Sequence, residues 1–238
     1  MANALVLGAS GTLGSAIARE LLSRGYDCGL HFNQNKTACD AITLEGRKTI
    51  AYAANFRDAA SVGTLVPQFL KDFGSADVVV WAAGISRDAP LLTQNEADLR
   101  AVLDVNLKAC ALLFKSLARQ FIKQKSGRVV VLSSHAAVSG RAGGCAYAMA
   151  EAGLLALVKS AAREWGALGV NVNAVLPPFV PESKMGSAAS PEFAEAAKLR
   201  RVLKTESDGT KATVLAVLAA LENPAMSGQT ITADSRVA

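Results

Sequence analysis

Ser134 stands thirteen residues ahead of Tyr147, and Glu151 follows the tyrosine at a spacing of four. A strand-like apolar run leads into the serine and a helix-like run carries the tyrosine, so two hydroxyls from separate elements can reach one carbonyl-sized site. The position one helical turn beyond Tyr147 is where a cation that makes such a tyrosine acidic is sought. It holds the carboxylate of Glu151 instead.

The elements that must position these groups begin at the N-terminus. Residues 4–7 read as an apolar strand, residues 8–14 as the turn GASGTLG, and residues 15–25 as a periodic helix stopped by Gly25. Strand, glycine-rich turn and helix in that order make a phosphate site, because the backbone can approach closely and the helix N-terminus offers free N–H groups. Gly8, Ser10, Gly11, Thr12, Leu13 and Gly14 are the candidate contacts. A second strand at 28–32 ends in Phe32 and Asn33, with Lys36 beyond, and carries no acid. A carboxylate near this strand end would bind the adenosine ribose of NAD(H) and repel a 2′-phosphate, so its absence favours NADP(H) over NAD(H).

A third strand at 48–53 leads to Asn55 and Phe56, candidate contacts for an adenine edge, and Asp58 reads as the start of a helix to 73. The strand at 77–81 runs into Ala82, Ala83 and Gly84, small enough to leave room for a cofactor ribose; Trp81 reads as core. A long helical segment over 95–125 contains Asn106, a poor helix former whose amide needs a partner or anchors a water in a proton path. Strand 128–132 closes on Ser133 and Ser134, and helix 146–168 opens with Tyr147. Strand 170–176 breaks at Pro177 and Pro178 into a loop suited to be a lid, followed by helices over 191–203 and 208–221 and a last strand at 229–233.

At 238 residues, with 51% hydrophobic and 19% charged, the chain suits one domain over 1–238 around a buried parallel sheet. A net charge of +5 without basic runs or interleaved aromatics argues against nucleic acid. Four cysteines with no C-x-x-C pair and two histidines argue against a metal site and suit a reducing cytoplasm. The first residues read as a strand, with no signal peptide expected, and no stretch reads as a membrane span.

These residues together resemble the short-chain dehydrogenase/reductases, in particular the group containing bacterial 3-oxoacyl-acyl-carrier-protein reductases, over essentially the whole length. GASGTLG matches the family's T-G-x-x-x-G-x-G with Leu7 for the threonine and Thr12 for the middle glycine; Ala82 to Gly84 match the tail of N-N-A-G; DVNLKA supplies Asn106; LSSHAA supplies Ser134; YAMAEAG matches Y-x-x-x-K-A-G except at Glu151. The resemblance implies an α/β fold of the Rossmann type, a doubly wound, seven-stranded parallel sheet, assembled into tetramers through the two long helices. It implies hydride transfer between a nicotinamide and a carbonyl or alcohol, with Tyr147 giving the proton, Ser134 holding the substrate oxygen and Asn106 supporting a water relay. Pro177 falls in the family's P-G, and Ser183 takes the place of the threonine that touches the nicotinamide amide. Lys125 keeps one of two basic positions used for a carrier protein, whereas Ala167 and Leu168 replace the other.

The family's lysine binds the nicotinamide ribose and lowers the tyrosine pKa from near 10. Across about 5 Å at an effective dielectric near 20, one unit charge is worth about 3 kcal/mol, or roughly two pKa units. An anion in place of the cation removes one such contribution and adds an opposing one. Tyr147 is therefore expected to resist ionisation unless Glu151 is protonated or turned away, which impairs alcohol oxidation more than ketone reduction. Three functions fit this pattern: an NADP(H)-dependent reductase of a 3-oxoacyl thioester or similar ketone, free or carrier-bound; a silent cofactor-binding subunit that joins an active relative in a mixed tetramer; and a non-redox acid–base enzyme using Ser134, Tyr147 and Glu151.

Overall fold

The computed structural model describes residues 2–203 and 208–236. In chain order the major elements are β1 (Asn3–Leu7), α1 (Thr12–Ser23), β2 (Asp27–Phe32), α2 (Lys36–Asp40), β3 (Thr49–Ala53), α3 (Ala59–Phe73), β4 (Val78–Trp81), α4 (Glu96–Val102), α5 (Ala109–Gln124), β5 (Gly127–Leu132), α6 (Ala136–Ser139) and α7 (Cys145–Trp165). Then follow β6 (Val170–Leu176), α8 (Lys184–Ser187), α9 (Pro191–Leu199), α10 (Gly209–Glu222) and β7 (Thr230–Thr232).

The strands read as continuous apolar runs because both sheet faces are covered. Along β1, Leu5 and Leu7 join one core with Val79 and Trp81 of β4, while Ala4 and Val6 join the other with Val78 and Val80. The first core is closed by α3, α5 and α7, and the second by α1 and α10. All seven strands pair in parallel in the order β3-β2-β1-β4-β5-β6-β7. This is a Rossmann-type, doubly wound sheet. Its order reverses between β1 and β4, and the crevice at that reversal, outside the carboxyl ends of the strands, is where such sheets receive ligands.

One expectation is refined and two are corrected. The segment 95–125 is helical as expected but not uniformly α: Asn95 caps α4 through Ala97 N–H, and a π-helical stretch, Leu103–Lys108, joins α4 to α5. The extra residue in that turn lets Asn106 leave the regular ladder and face the sheet. The loop after Pro178 contains α8, capped by Ser183, whose hydroxyl accepts from Gly186 N–H at 2.9 Å and donates to the Val180 carbonyl at 2.8 Å. Finally, residues Cys145–Leu168 are long and apolar enough to cross a membrane by length and composition. In this fold the same helix lays Leu154, Val158 and Trp165 against the first core, which accounts for its apolar character.

Candidate active site

A cavity of about 560 Å³ opens at the sheet reversal and is lined by Gly11 to Gly14, Ala82 to Gly84, Ser133 to Ala136, Tyr147, Glu151, Pro177 and Ser183. The turn after β1 is shaped by its outer glycines. Gly8 has φ +83, and a Cβ there would lie 2.8 Å from the Ala82 backbone; a Cβ at Gly14 would lie 2.2 Å from the Gly8 carbonyl oxygen. Gly11 is different: a Cβ there would meet nothing nearer than 3.4 Å, and its φ of −92 suits any residue. It caps α1 without a side-chain bond, and no acid stands in the first turn. The first N–H groups of α1 thus face the cavity uncovered, a cradle that fits a pyrophosphate.

His31 holds this turn in place, a role that the sequence pattern did not reveal. Its Nδ1 accepts from Gly8 N–H at 3.0 Å and its Nε2 lies 3.0 Å from the Ala54 carbonyl, so the neutral ring joins β1, β2 and the end of β3. Burial pushes its pKa down to about 4, with the Ala54 bond opposing in part. Phe56 stacks on His31 at 4.0 Å and on Trp81 at 4.9 Å, which turns its side chain into the core. Phe32, Asn33, Asn55 and Phe56 lie outside the cavity, at the carboxyl ends of β2 and β3, and Ser10 sits in the turn beside it. No acid stands at the end of β2; Lys36 pairs with Asp40 at 2.7 Å on the surface of α2.

Ser134, Tyr147, Asn106 and Glu151 come together at the end of β5. The Ser134 hydroxyl accepts from Ala136 N–H at 3.2 Å, which fixes the turn after the strand, and its hydrogen bond to Tyr147 lowers the tyrosine pKa. That effect is outweighed. Burial first, then the Glu151 carboxylate, raise the Tyr147 pKa well above its usual value. Glu151 is 4% exposed, and burial pushes its own pKa up to about 8 against the pull of the Asn106 bond. At neutral pH it is therefore mainly protonated.

Asn106 is completely buried. Its Oδ1 accepts from Ile85 N–H at 2.9 Å, and its Nδ2 donates to the Ile85 carbonyl at 3.0 Å and to Glu151 Oε1 at 3.0 Å. The amide thereby ties the loop after β4 to the carboxyl that replaces the lysine. Ser133, another residue that sequence reasoning passed over, donates to the Glu151 backbone carbonyl at 3.0 Å and joins β5 to α7.

A cation does reach Tyr147, from an unexpected position. The Arg141 guanidinium lies 5.3 Å from the Tyr147 ring centre and 5.4 Å from that of Phe193. A Cβ on Gly144 would lie 2.3 Å from Arg141 Nε, so the glycine makes room for this side chain. Arg141 lowers the Tyr147 pKa, but it is paired with Asp88, which acts in the opposite direction. Sequence reasoning did not single out Arg141 or Gly144. Among the described residues, no cluster of three His, Cys, Asp or Glu could hold a metal.

A Rossmann-type sheet thus sets Ser134, after β5, and Tyr147, on α7, in one cavity with the open N-terminus of α1, at the sheet reversal where such folds receive ligands. Residues 2–194 match the family model for short chain dehydrogenases. The chain is 39% identical over 181 residues to a 3-oxoacyl-[acyl-carrier-protein] reductase of Synechocystis, covering 74% of this chain and 73% of that one. It is 35% identical over 234 residues to a reductase of the same name, FabG, of Staphylococcus aureus, covering 96% and 95%. A crystal structure of a dehydrogenase/reductase from Sinorhizobium meliloti superposes with a TM-score of 0.86 at 27% identity, covering 97% of this chain and 92% of that one. The chain belongs to the short-chain dehydrogenase/reductase family, and its general chemistry is that of an oxidoreductase.

Proposed function

We propose that this chain is an NADP(H)-dependent reductase of a 3-oxoacyl thioester or similar ketone. The observation that carries the reading is the meeting of the Ser134 and Tyr147 hydroxyls in one cavity with the open N-terminus of α1. Gly11 to Gly14 would hold the cofactor pyrophosphate, Ala82 to Gly84 would admit its ribose, and Pro177 and Ser183 would border the nicotinamide. Asn33 and Asn55 would face the adenosine end, where the missing acid leaves space for a 2′-phosphate. The bound cofactor supplies the hydride.

Ser134 holds the carbonyl oxygen, and Tyr147, fully protonated at neutral pH, gives it a proton. The tyrosinate that results has a higher proton affinity than the neighbouring Glu151 carboxyl, so returning the proton from Glu151 is downhill. Glu151 thus takes over proton resupply without a lysine. Reduction is favoured while Glu151 is protonated, and oxidation, which needs a ready tyrosinate, is disfavoured. Above a pH of about 8 Glu151 becomes an anion beside the forming tyrosinate, and the rate falls.

The relatives' names place the 3-oxoacyl group on an acyl-carrier protein, which supports a carrier-bound or similar substrate here, with exposed Arg119, Lys123 and Lys125 available to an acidic carrier. The four free cysteines suit a cytoplasmic location. A second reading, a silent subunit in a mixed tetramer, is favoured by one feature, the buried carboxyl at the lysine position. Following NADPH consumption with a short 3-oxoacyl thioester, for the native chain alone and for Glu151→Lys, separates the two. Native turnover supports the reductase; turnover by the lysine variant alone, with NADPH bound by both, supports the silent subunit.

A further inference from the structure

The guanidinium of Arg141 is held by four groups. The residue stands in the turn between α6 and α7, and the Gly143 carbonyl of that turn accepts from Ala89 N–H at 2.9 Å, which ties it to the loop after β4. The side chain passes Gly144, which leaves the space it needs. Its Nη2 then donates to Ser86 Oγ at 3.0 Å and to Asp88 Oδ1, while the ring centres of Tyr147 and Phe193 lie 5.3 and 5.4 Å from the guanidinium carbon. Loop, catalytic helix and α9 thus meet at one cation.

Ordering so long a side chain costs conformational entropy, and an ordinary surface ion pair returns little of it. This pair differs in how its two charges stand toward Tyr147. The Arg141 side chain is 16% exposed and lies over the tyrosine ring, whereas the Asp88 side chain is 50% exposed to water. A charge shielded by protein acts more strongly than one shared with solvent. Of the two, the cation accordingly has the larger effect on the Tyr147 phenol, and the remaining charged group that acts on it, Glu151, is neutral while protonated. Reduction creates an anion at this point. The carbonyl carbon takes a hydride from the reduced cofactor, the carbonyl oxygen takes the Tyr147 proton, and the electron pair of the broken O–H bond stays on the phenolate. The attraction of a cation for the ring grows once the ring itself is negative.

We propose that Arg141 is a positioning residue for this reaction: through the ring of Tyr147 it stabilises the phenolate formed at proton transfer, and Asp88 sets how much of its charge is felt. The proposal rests on the reductase reading and adds to it a residue outside the serine–tyrosine pair. Two residues then divide the work of the family's lysine. Glu151 returns the proton, and Arg141 supports the anion that waits for it. Because that support is needed only once the proton has left, its benefit falls on the chemical step and not on substrate binding.

The test is the steady-state reduction of a short 3-oxoacyl thioester by the full chain, comparing Arg141→Met and Asp88→Asn with the native protein. Arg141→Met should lower kcat about tenfold, the scale of one desolvated cation–π contact, with KM changed far less. Asp88→Asn keeps an acceptor for Arg141 and removes the opposing charge, so kcat should rise, by about twofold for an exposed carboxylate. The second variant separates charge from bracing: an ion pair that only held the loop in place would slow the enzyme when lost. A readout that needs no turnover is the ionisation of the phenol itself, with a difluorinated tyrosine in place of Tyr147 as an acidic, nearly isosteric probe and Tyr147→Phe as the blank. Its midpoint should move up by about one pH unit in Arg141→Met and down in Asp88→Asn. An unchanged kcat in Arg141→Met, a loss confined to KM, or a fall in kcat with Asp88→Asn overturns the proposal, as does a midpoint indifferent to both variants. A native chain without turnover would instead remove the reductase reading, and the midpoint shifts would still decide the role of Arg141.

Discussion

At residue scale, the account turns on the proton inventory of Tyr147 and Glu151. Tyr147→Phe removes the proton donor and should lower ketone reduction by a factor of about 10² to 10⁴, measured as kcat, while NADPH binding is retained. Glu151 also makes a prediction about stability. The unfolded carboxyl ionises near 4.5 and the folded one near 8, so across that window the folded chain binds the extra proton and stability falls as pH rises. Glu151→Gln removes this slope. At pH 7 the variant should be more stable than the native chain by about 3 kcal/mol, a difference that vanishes as pH falls toward the unfolded carboxyl value. Urea unfolding at several pH values measures it; parallel curves for the two proteins would contradict a buried, neutral Glu151. The sequence showed the missing lysine, because a type change at one position in YAMAEAG is visible. It could not show that burial neutralises the replacement.

At the scale of elements, the π-helical turn at Leu103–Lys108 brings a side chain from the helix layer to the sheet end. Asn106 fills the hydrogen-bonding needs of Ile85 and Glu151 together, so Asn106→Ala strands several buried groups and should cost about 2 to 4 kcal/mol in thermal or urea unfolding. Because the Asn106 bond lowers the Glu151 pKa, its loss should also move the fall in reductase rate to higher pH. A purely structural role would leave the position of that fall unaltered. Strands and helices were legible because β1, β4 and β5 are apolar on both faces and the glycine turn follows β1 directly. The π-turn was not, since periodicity averages over one added residue, and an asparagine in an apolar helix signals only that it needs a partner. His31 was hidden for a related reason: its bonds to Gly8 and Ala54 join strands far apart in sequence.

For the whole molecule, the parallel sheet order places every group of the site at one edge, and the reversal between β1 and β4 fixes where the cofactor enters. The order of strand, turn and helix along the chain pointed to the turn after β1, whereas the doubly wound sheet was implied by the family resemblance and its strand order came from the structure. Neither placed Arg141, because its partners Ser86, Asp88, Tyr147 and Phe193 converge from separate loops and helices. The two long helices carry exposed apolar side chains, Ile122 on α5 and Met149 on α7, and the family resemblance implies tetramers assembled through these helices. Light scattering of the purified chain should give about four times its mass of 24.6 kDa. A monomeric mass that becomes tetrameric only with an intact relative would favour the mixed assembly.

The central claim, that this site reduces a ketone with Glu151 in the lysine's place, is tested most directly by the initial rate of NADPH oxidation by the native chain alone. The substrate is a short 3-oxoacyl thioester, and the rate is followed from mildly acidic to alkaline pH. The account predicts clear turnover that declines as pH passes about 8, and no such decline in Glu151→Gln. A native chain that binds NADPH yet shows no turnover at any pH, or a rate that rises through this range, would contradict it.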